Sequence, residues 1–301
     1  MTVVATDGID VRPVEVDELQ IGNAETYDVI VQPGDRAYSF VAETIDRSGM
    51  GVATLAPREG MRAAIPPLRE RPVLRMKDMG MDHGPSAQAM DQSAMDHAAM
   101  GHGAAASAPR IPMDHGDMKM RDMSKVNFPV GVGVDMIAPM PMDRTGDPGI
   151  GLDNVGHRVL TYKDLVALKP FHDQRPPTRR IDIHLTGNMD RFMWSMDGEK
   201  LSENPEPYRF ARNERVRMRL INDTMMTHPM HIHGHFWQLL NGHGVNQPVK
   251  HTVRVLPGGY VDLDMTADAP GDWAFHCHLL YHMHAGMMRV VTVRPLDGAA
   301  A

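Results

Sequence analysis

The stretch "DWAFHCHLLYHMHAGM" at residues 272–287 contains the single cysteine of the chain, Cys277, directly between His276 and His278. Its first half, "DWAFHCH", is typical of a short β-strand, in which successive side chains point to opposite faces. We therefore expect His276 and His278 on one face and Cys277 on the other. One strand of this kind can serve two metal sites placed back to back.

A second histidine cluster, "HPMHIHGH" at residues 228–235, precedes the first by about forty residues. The alternation rule places His231 and His233 on a common face and leaves His228, which precedes a proline, free to turn elsewhere. A soft thiolate, two imidazoles and a weak thioether form the ligand set of a blue-copper electron-transfer centre. The chain offers these four groups as Cys277, His228, His282 and Met287.

Zinc is the main alternative metal. A structural zinc site more often uses several cysteines, and a catalytic zinc site would not need a second set of histidines. Ordinary core or surface histidines are the other interpretation, and they are the usual one for an isolated histidine. We apply it to five histidines outside the clusters, namely His157, His172, His184, His243 and His251.

Short strand patterns separated by turn residues predict an all-β fold, with an antiparallel sandwich or small barrel from about residue 151 to 301. The strongest patterns are "RRIDIHLTG", "RFMWSMDG", "RVRMRLIND", "HTVRVLP", "YVDLDMTA" and "DWAFHCH". "YKDLVALKP" (162–170) predicts a helical turn at the entrance, and helical content should be low. Residues 1–60 also carry strand patterns, too few to close a sandwich by themselves.

Residues 61–150 show neither strand nor helix periodicity and are interpreted as a Met/His-rich, low-complexity linker. Ten methionines lie from Met76 to Met123, with His83, His97, His102 and His115 among them. Thioethers are soft ligands for Cu(I), and imidazole accepts either oxidation state of copper. The segment is therefore a candidate for copper binding, with a plain flexible tether as the alternative.

Composition excludes several classes of function. A formal charge of -7 over 301 residues gives no basic surface for nucleic acid. There is no apolar run long enough for a membrane span, and the first residues show no export signal. One cysteine excludes an intrachain disulfide.

The two metal motifs resemble the C-terminal copper-binding signatures of multicopper oxidases. The sequence around these motifs is most similar to the periplasmic copper-resistance protein A family. The segments that carry this resemblance are "LTGNMDRFMWSMDG", "LINDTMMTHPMHIHGH" and "TADAPGDWAFHCHLLYHMHAGM". Residues 1–60 resemble the end of that family's second cupredoxin domain. The resemblance implies a cupredoxin-like Greek-key sandwich or barrel at 151–301, preceded by a partial cupredoxin domain and the linker.

The resemblance also implies roles for single residues. His228, Cys277 and His282 would bind a type 1 copper with Met287 axial, His231 a type 2 copper, and His233, His276 and His278 a type 3 pair. Cuprous ion or a phenol would be oxidised at the type 1 copper. Electrons would pass through Cys277 to His276 and His278, where the trinuclear cluster reduces dioxygen to water.

This family's trinuclear cluster takes eight histidines, four of them from two HxH pairs in the first domain, and here the first histidine is His83. We therefore expect the chain to be the C-terminal part of a longer periplasmic oxidase, completed by N-terminal cupredoxin domains in cis or in trans. The alternative is a copper-binding protein that sequesters the metal for copper tolerance without turnover.

Overall fold

The computed structural model describes residues 1–81 and 121–295, and these residues are mostly β-strand. In the first range lie β1 (Thr2–Thr6), β2 (Ile9–Glu15), β3 (Glu18–Leu19), β4 (Tyr27–Ile30), β5 (Tyr38–Glu43) and β6 (Met50–Leu55). In the second lie β7 (Met142–Asp143), β8 (Val159–Leu160), β9 (Arg179–Asn188), β10 (Met193–Met196), β11 (Tyr208–Ala211), β12 (Arg215–Asn222), β13 (His228–Ile232), β14 (Trp237–Leu239), β15 (Val249–Lys250), β16 (Thr252–Val255), β17 (Gly259–Thr266), β18 (Gly271–Cys277) and β19 (Met288–Arg294).

Helix is scarce, as the sequence predicted. The described ranges hold one α-helix, α1 (Leu280–Ala285), and a few single 3-10 turns, one of them at Tyr162–Asp164 inside the predicted helical turn. None of the described helices is long and apolar enough to cross a membrane.

Two sheets form the C-terminal sandwich. The larger has the order β10-β9-β12-β17-β14-β15, with β7 added against β17, and the smaller has the order β11-β19-β18-β13-β16. Their apolar faces share one buried core, to which Leu220 and Leu263 contribute from the larger sheet and Phe275 and Val291 from the smaller. The prediction of an all-β, cupredoxin-like sandwich is confirmed.

Strand β12 shows why this sequence forms a sheet. Val216, Met218 and Leu220 alternate with arginines and are fully buried, as expected for a strand with one face on the core. The arginines on the other face pair across the sheet, Arg217 with Asp264 and Arg219 with Asp262, each directly opposite in the register with β17. Core burial and cross-strand ion pairs thus specify the same register.

The N-terminal residues pack on this sandwich. Strands β2, β1 and β4 form a three-stranded sheet, and β3 pairs in parallel with β8. Val3, Val11 and Val16 are buried in the same core as the sandwich. The hairpin of β5 and β6 lies apart and exposes Phe40.

Parts of the predicted linker also pack on the sandwich. Ile137 is buried, and Arg144 forms a buried ion pair with Asp78, at 2.7 Å between Nη1 and Oδ1. The histidines of the Met/His-rich stretch, from His83 to His115, lie outside the described residues. The domain division at residues 60 and 150 stays a prediction.

Candidate metal centre

Strands β13 and β18 lie side by side in the smaller sheet and carry most of the predicted metal ligands. They are antiparallel, with Met230 opposite Cys277 and His231 opposite His276. Residues opposite each other point to the same face, so Cys277 faces the core with Met230 while His276 faces away with His231. The face separation predicted for His-Cys-His is consistent with this register.

His228 lies in β13 two residues before Met230, and by the same alternation it is on the Cys277 face. Helix α1 follows β18 closely and brings His282 to the same place. The Cys277 Sγ is 3.6 Å from His228 Nδ1 and 3.7 Å from His282 Nδ1, and the two nitrogens are 3.1 Å apart. We call these three residues, Cys277, His228 and His282, the cysteine centre.

The cysteine centre fits a trigonal metal ion. Metal–nitrogen bonds of about 2.0–2.1 Å and a metal–sulfur bond of about 2.3 Å at roughly 120° would separate the ligand atoms by about 3.5–3.8 Å. Both sulfur–nitrogen distances fall in this range, and the 3.1 Å nitrogen–nitrogen distance is shorter by only a few tenths of an ångström. Among the described residues, this is the group of three whose ligand atoms all lie within 4.8 Å of one another.

Burial sets the protonation of the cysteine centre. It lowers the pKa of His282 to about 4, and together with the neighbouring His282 it lowers the pKa of His228 well below the usual value. Both imidazoles are therefore neutral at pH 7 and have a lone pair for a metal. Burial also raises the pKa of the Cys277 thiol to about 12, so metal binding must release its proton.

Met287 is fully buried beside the cysteine centre. Its amide N–H donates to the carbonyl of His282, and its carbonyl accepts from the N–H of Cys277. The residue before it, Gly286, has φ +131°. A β-carbon there would lie 2.7 Å from the Trp194 carbonyl oxygen, so the loop requires glycine.

Two contacts to the cysteine centre were missed from the sequence. The Thr224 hydroxyl is 2.7 Å from His228 Nε2, which leaves Nδ1 directed at the sulfur. The Trp194 ring stacks on His282, with centroids 4.2 Å apart and planes 15° from parallel. Thr224 lies only four residues before His228 in a polar turn, a signal that could have been used; Trp194, on a distant strand, gave none.

The other four predicted ligands form a second cluster on the opposite face of β13 and β18, which we call the four-histidine group: His231, His233, His276 and His278. Neighbouring ring centroids are 5.0–5.7 Å apart. The Nε2 atoms of His233 and His276 approach to 3.2 Å. His276 is buried and His233 is exposed, so this group is open on one side.

Further contacts orient two rings of the four-histidine group. His276 Nδ1 is 3.0 Å from the carbonyl oxygen of Cys277. His231 Nδ1 is 2.9 Å from the carbonyl oxygen of His251 and 3.0 Å from the Thr252 hydroxyl. In both rings Nε2 is then the nitrogen available to a metal. His251, interpreted as isolated from the sequence, thus contributes its backbone to the orientation of His231.

All eight residues predicted as metal ligands lie in this arrangement. Three form the cysteine centre, four form the four-histidine group and Met287 is buried next to the first. Cys277 belongs to one group and is covalently joined to His276 and His278 of the other. The two groups are thus linked through one strand; that these eight residues bind copper, and which copper type each binds, stay predictions.

Comparison with known proteins identifies the family of this chain. Two multicopper oxidase family models match the chain, one over residues 174–297 and one over residues 1–65. A "Copper resistance protein A homolog" of Pseudomonas syringae is 47% identical over 97% of this chain and 50% of its own length. "Copper resistance protein A" of Escherichia coli is 45% identical over 97% of this chain and 52% of its own length.

A more distant relative, "Multicopper oxidase MmcO" of Mycobacterium tuberculosis, is 27% identical over 95% of this chain and 40% of its own length. The chain spans about half the length of the two copper-resistance relatives. The model over residues 1–65 covers strands β1 to β6, and the model over residues 174–297 contains both metal groups. The chain belongs to the multicopper oxidase family, whose cofactor is copper.

Proposed function

We propose that this chain is the electron-accepting part of a copper-resistance multicopper oxidase. The cysteine centre, with Met287 as axial ligand, would hold the type 1 copper. The four-histidine group would hold its share of a trinuclear cluster, with His231 on type 2 copper and His233, His276 and His278 on the type 3 pair. The observation that carries the proposal is the back-to-back placement of the two groups on β13 and β18.

Copper would supply one-electron oxidation at the first group and dioxygen reduction at the second. The chain's own residues provide the path between them. The Cys277 sulfur is joined through its own backbone to His276 and His278, and His276 Nδ1 also contacts the Cys277 carbonyl oxygen at 3.0 Å. Buried core on the Cys277 face keeps water away from the thiolate.

The substrates that this proposal favours are cuprous ion and phenols, each a one-electron donor. The names of the relatives favour a role in copper resistance, and the family resemblance favours the periplasm. The remaining cluster ligands would come from N-terminal cupredoxin domains in cis or in trans. The Met/His-rich segment would bind additional Cu(I) through its thioethers.

A copper-sequestering protein without turnover is the second candidate. The observation that favours it is the contrast between a buried, closed cysteine centre and a four-histidine group open to solvent at His233. A buried, closed site such as the cysteine centre can bind copper by itself. An open site such as the four-histidine group lacks the fixed geometry that metal catalysis requires.

The experiment loads the purified chain with copper and records the visible absorption spectrum together with oxygen uptake in the presence of a phenol or Cu(I). We expect an intense blue absorption that is absent in Cys277→Ser, because a hard hydroxyl cannot replace the thiolate. We expect no sustained oxygen uptake by this chain alone, and uptake once the missing domains are added. Blue absorption retained in Cys277→Ser would refute the assignment of copper to the cysteine centre.

The matched control is His276→Ala, which changes the four-histidine group and leaves the ligands of the cysteine centre in place. It should keep the blue absorption and lose the oxygen uptake of the completed protein. If adding the missing domains never produces uptake while the blue absorption persists, the sequestering function is the correct one.

A further inference from the structure

The turn between β1 and β2 carries a buried carboxylate, although the turn of a β-hairpin usually lies in solvent. Asp7 and Gly8 form this two-residue turn, with φ +49° and φ +76°. Asp-Gly is a preferred pair at such positive angles. The Asp7 side chain nevertheless has no exposed surface. A carboxylate in this position requires partners for both of its oxygens, because an unpaired buried charge is costly.

The two oxygens of Asp7 join the N-terminal residues to the sandwich. Oδ1 accepts from the N–H of Thr26 at 3.0 Å. Oδ2 accepts from the N–H groups of His251 and Thr252, at 3.0 Å and 3.1 Å. The same oxygen lies 3.1 Å from Lys250 Nζ. Asp7 therefore contacts three consecutive residues that follow it by more than 240 positions in the chain.

These contacts anchor the beginning of β16. This strand lies at the edge of the smaller sheet, and Thr252 is directly opposite His231 of β13. An edge strand leaves alternate N–H groups without a strand partner. Side chains from outside the sheet satisfy two of them, because Asp7 accepts from Thr252 and the Tyr162 hydroxyl accepts from Arg254 at 2.7 Å. Asp7 thus holds the end of β16 that lies beside His231.

The anchored backbone in turn holds the His231 ring. His231 Nδ1 is 2.9 Å from the His251 carbonyl oxygen and 3.0 Å from Thr252 Oγ1. A carbonyl oxygen only accepts, so Nδ1 carries the proton and Nε2 has the lone pair. The Thr252 hydroxyl is also 2.9 Å from His251 Nδ1, and it can accept from His231 while it donates to His251. Both contacts of His231 Nδ1 therefore come from the two residues whose N–H groups bind Asp7.

We propose that Asp7 is a positioning residue of the four-histidine group, and that it fixes the tautomer and orientation of His231 through the backbone at residues 251–252. Where copper is concerned, this role rests on the proposed function. Hydrogen bonds from N–H groups to a carboxylate are about twice as strong as neutral ones. Contacts of this kind behind a ligand ring direct one of its nitrogens toward the metal. The turn between β1 and β2 thus sets the geometry of a metal ligand in addition to its part in packing.

The first measurement uses the metal-free full chain, in which a long-range proton–nitrogen NMR spectrum shows which nitrogen of each imidazole carries the proton. The signals of His231 are identified by their loss in His231→Gln. We expect one tautomer in the wild-type chain, with the proton on Nδ1. Asp7→Gly tolerates the positive φ of the turn and removes only the carboxylate. This variant should show both tautomers of His231, because the backbone at residues 251–252 is no longer held against the ring.

Lys250→Met is the matched control, because it removes a charge from the same buried cluster and leaves the N–H bonds of Asp7 in place. It should lower stability and keep the single tautomer of His231. If Asp7→Gly does not fold, the double variant Asp7→Gly/Lys250→Met is compared with Lys250→Met, since these two chains differ only in the carboxylate. A single tautomer in Asp7→Gly would overturn the proposal. Equal mixtures in Asp7→Gly and Lys250→Met would also overturn it, because general loss of stability would then explain the change.

The second measurement is a competition titration of the full chain with Cu(II) against a chelator. The binding that is absent in His276→Ala belongs to the four-histidine group, and Asp7→Gly should weaken it about tenfold. The blue absorption should stay unchanged in Asp7→Gly, because the cysteine centre lies on the other face of β13 and β18. Wild-type Cu(II) affinity in Asp7→Gly would contradict the positioning role. Absence of this binding in the wild-type chain would count against the proposed function instead, and the tautomer of His231, measured without metal, decides the role of Asp7 in either case.

Discussion

Replacement of Lys250 by methionine is expected to destabilise the protein by about 3–5 kcal/mol, the cost of breaking a buried ion pair from one side. The ammonium group has no exposed surface, and its Nζ is 3.1 Å from Asp7 Oδ2 and 3.2 Å from Glu25 Oε1. Glu25 retains a second partner, because Arg254 Nε lies 2.9 Å from its Oε2. Asp7 retains three backbone N–H donors but loses the ammonium charge of Lys250, so its buried carboxylate is only partly compensated.

The assay is urea unfolding followed by tryptophan fluorescence at neutral pH. Lys169→Met, at an exposed lysine, is the matched control and should change stability by less than about 0.5 kcal/mol. Adding Asp7→Asn to Lys250→Met removes the stranded charge, so the double variant should be more stable than the sum of the two single changes by about 1–3 kcal/mol. A Lys250→Met cost below about 1 kcal/mol, or strict additivity, would refute the reasoning.

Three further predictions concern the metal site and the same ion cluster. Thr224→Val should weaken copper binding about 10–100-fold in a competition titration with a Cu(I) chelator, because His228 loses its orienting contact; Thr227→Val, whose hydroxyl has no partner among the described residues, should not. Gly286→Ala should destabilise the protein by about 1–3 kcal/mol in urea and reduce the blue absorption, because the new methyl group meets Lys200 and Trp194. Gly242→Ala is the control, because Gly242 also has a positive φ, +100°, but an added β-carbon there would have no atom within 4 Å. If Gly242→Ala lowered stability as much as Gly286→Ala, backbone strain and not the steric clash would explain the loss. Burial raises the pKa of Glu25, but Lys250 and Arg254 outweigh it and hold that pKa below 4.5, so its stabilisation is present above pH 4.5 and is lost as pH falls through the lower folded value. The urea midpoint of unfolding, measured from pH 6 downward, should fall less steeply in Glu25→Gln than in the wild-type protein. Parallel curves for the two proteins would exclude a contribution of Glu25 to the pH dependence of stability.

The sequence predicted which candidate ligands lie together because their arrangement is set locally. Strand alternation alone separates Cys277 from His276 and His278, and five residues of chain bring His282 back to the sulfur. The all-β fold followed from turn and strand patterns of the same short range. Strand alternation also places His228, two residues before Met230, on the face of Cys277.

Contacts between distant residues could not be predicted in this way. Lys250 and Asp7 are more than 240 positions apart, and no spacing rule pairs an ordinary lysine with an ordinary aspartate over that distance. The stacking of Trp194 on His282 depends on how β10, the edge strand of the larger sheet, packs against α1, a contact between elements far apart in the sequence. Residues 1–60 carry too few strand patterns to close a sandwich by themselves, but nothing in the sequence indicates that Val3 and Val11 are buried in the core of the C-terminal sandwich.

The pairing of Met230 with Cys277 and His231 with His276 limits how this sequence can change over evolutionary time. Inserting or deleting a single residue in β18 before His276 would shift the register and exchange the two faces of the strand. The Cys277 thiol would then lie on the face of the four-histidine group, and the rings of His276 and His278 would point into the apolar core. Both sites would be lost in one step, and no later substitution at a single ligand could restore either. Length variation among descendants of this chain should therefore be confined to the loops on either side of β13 and β18, so that the two centres are inherited or lost as a unit.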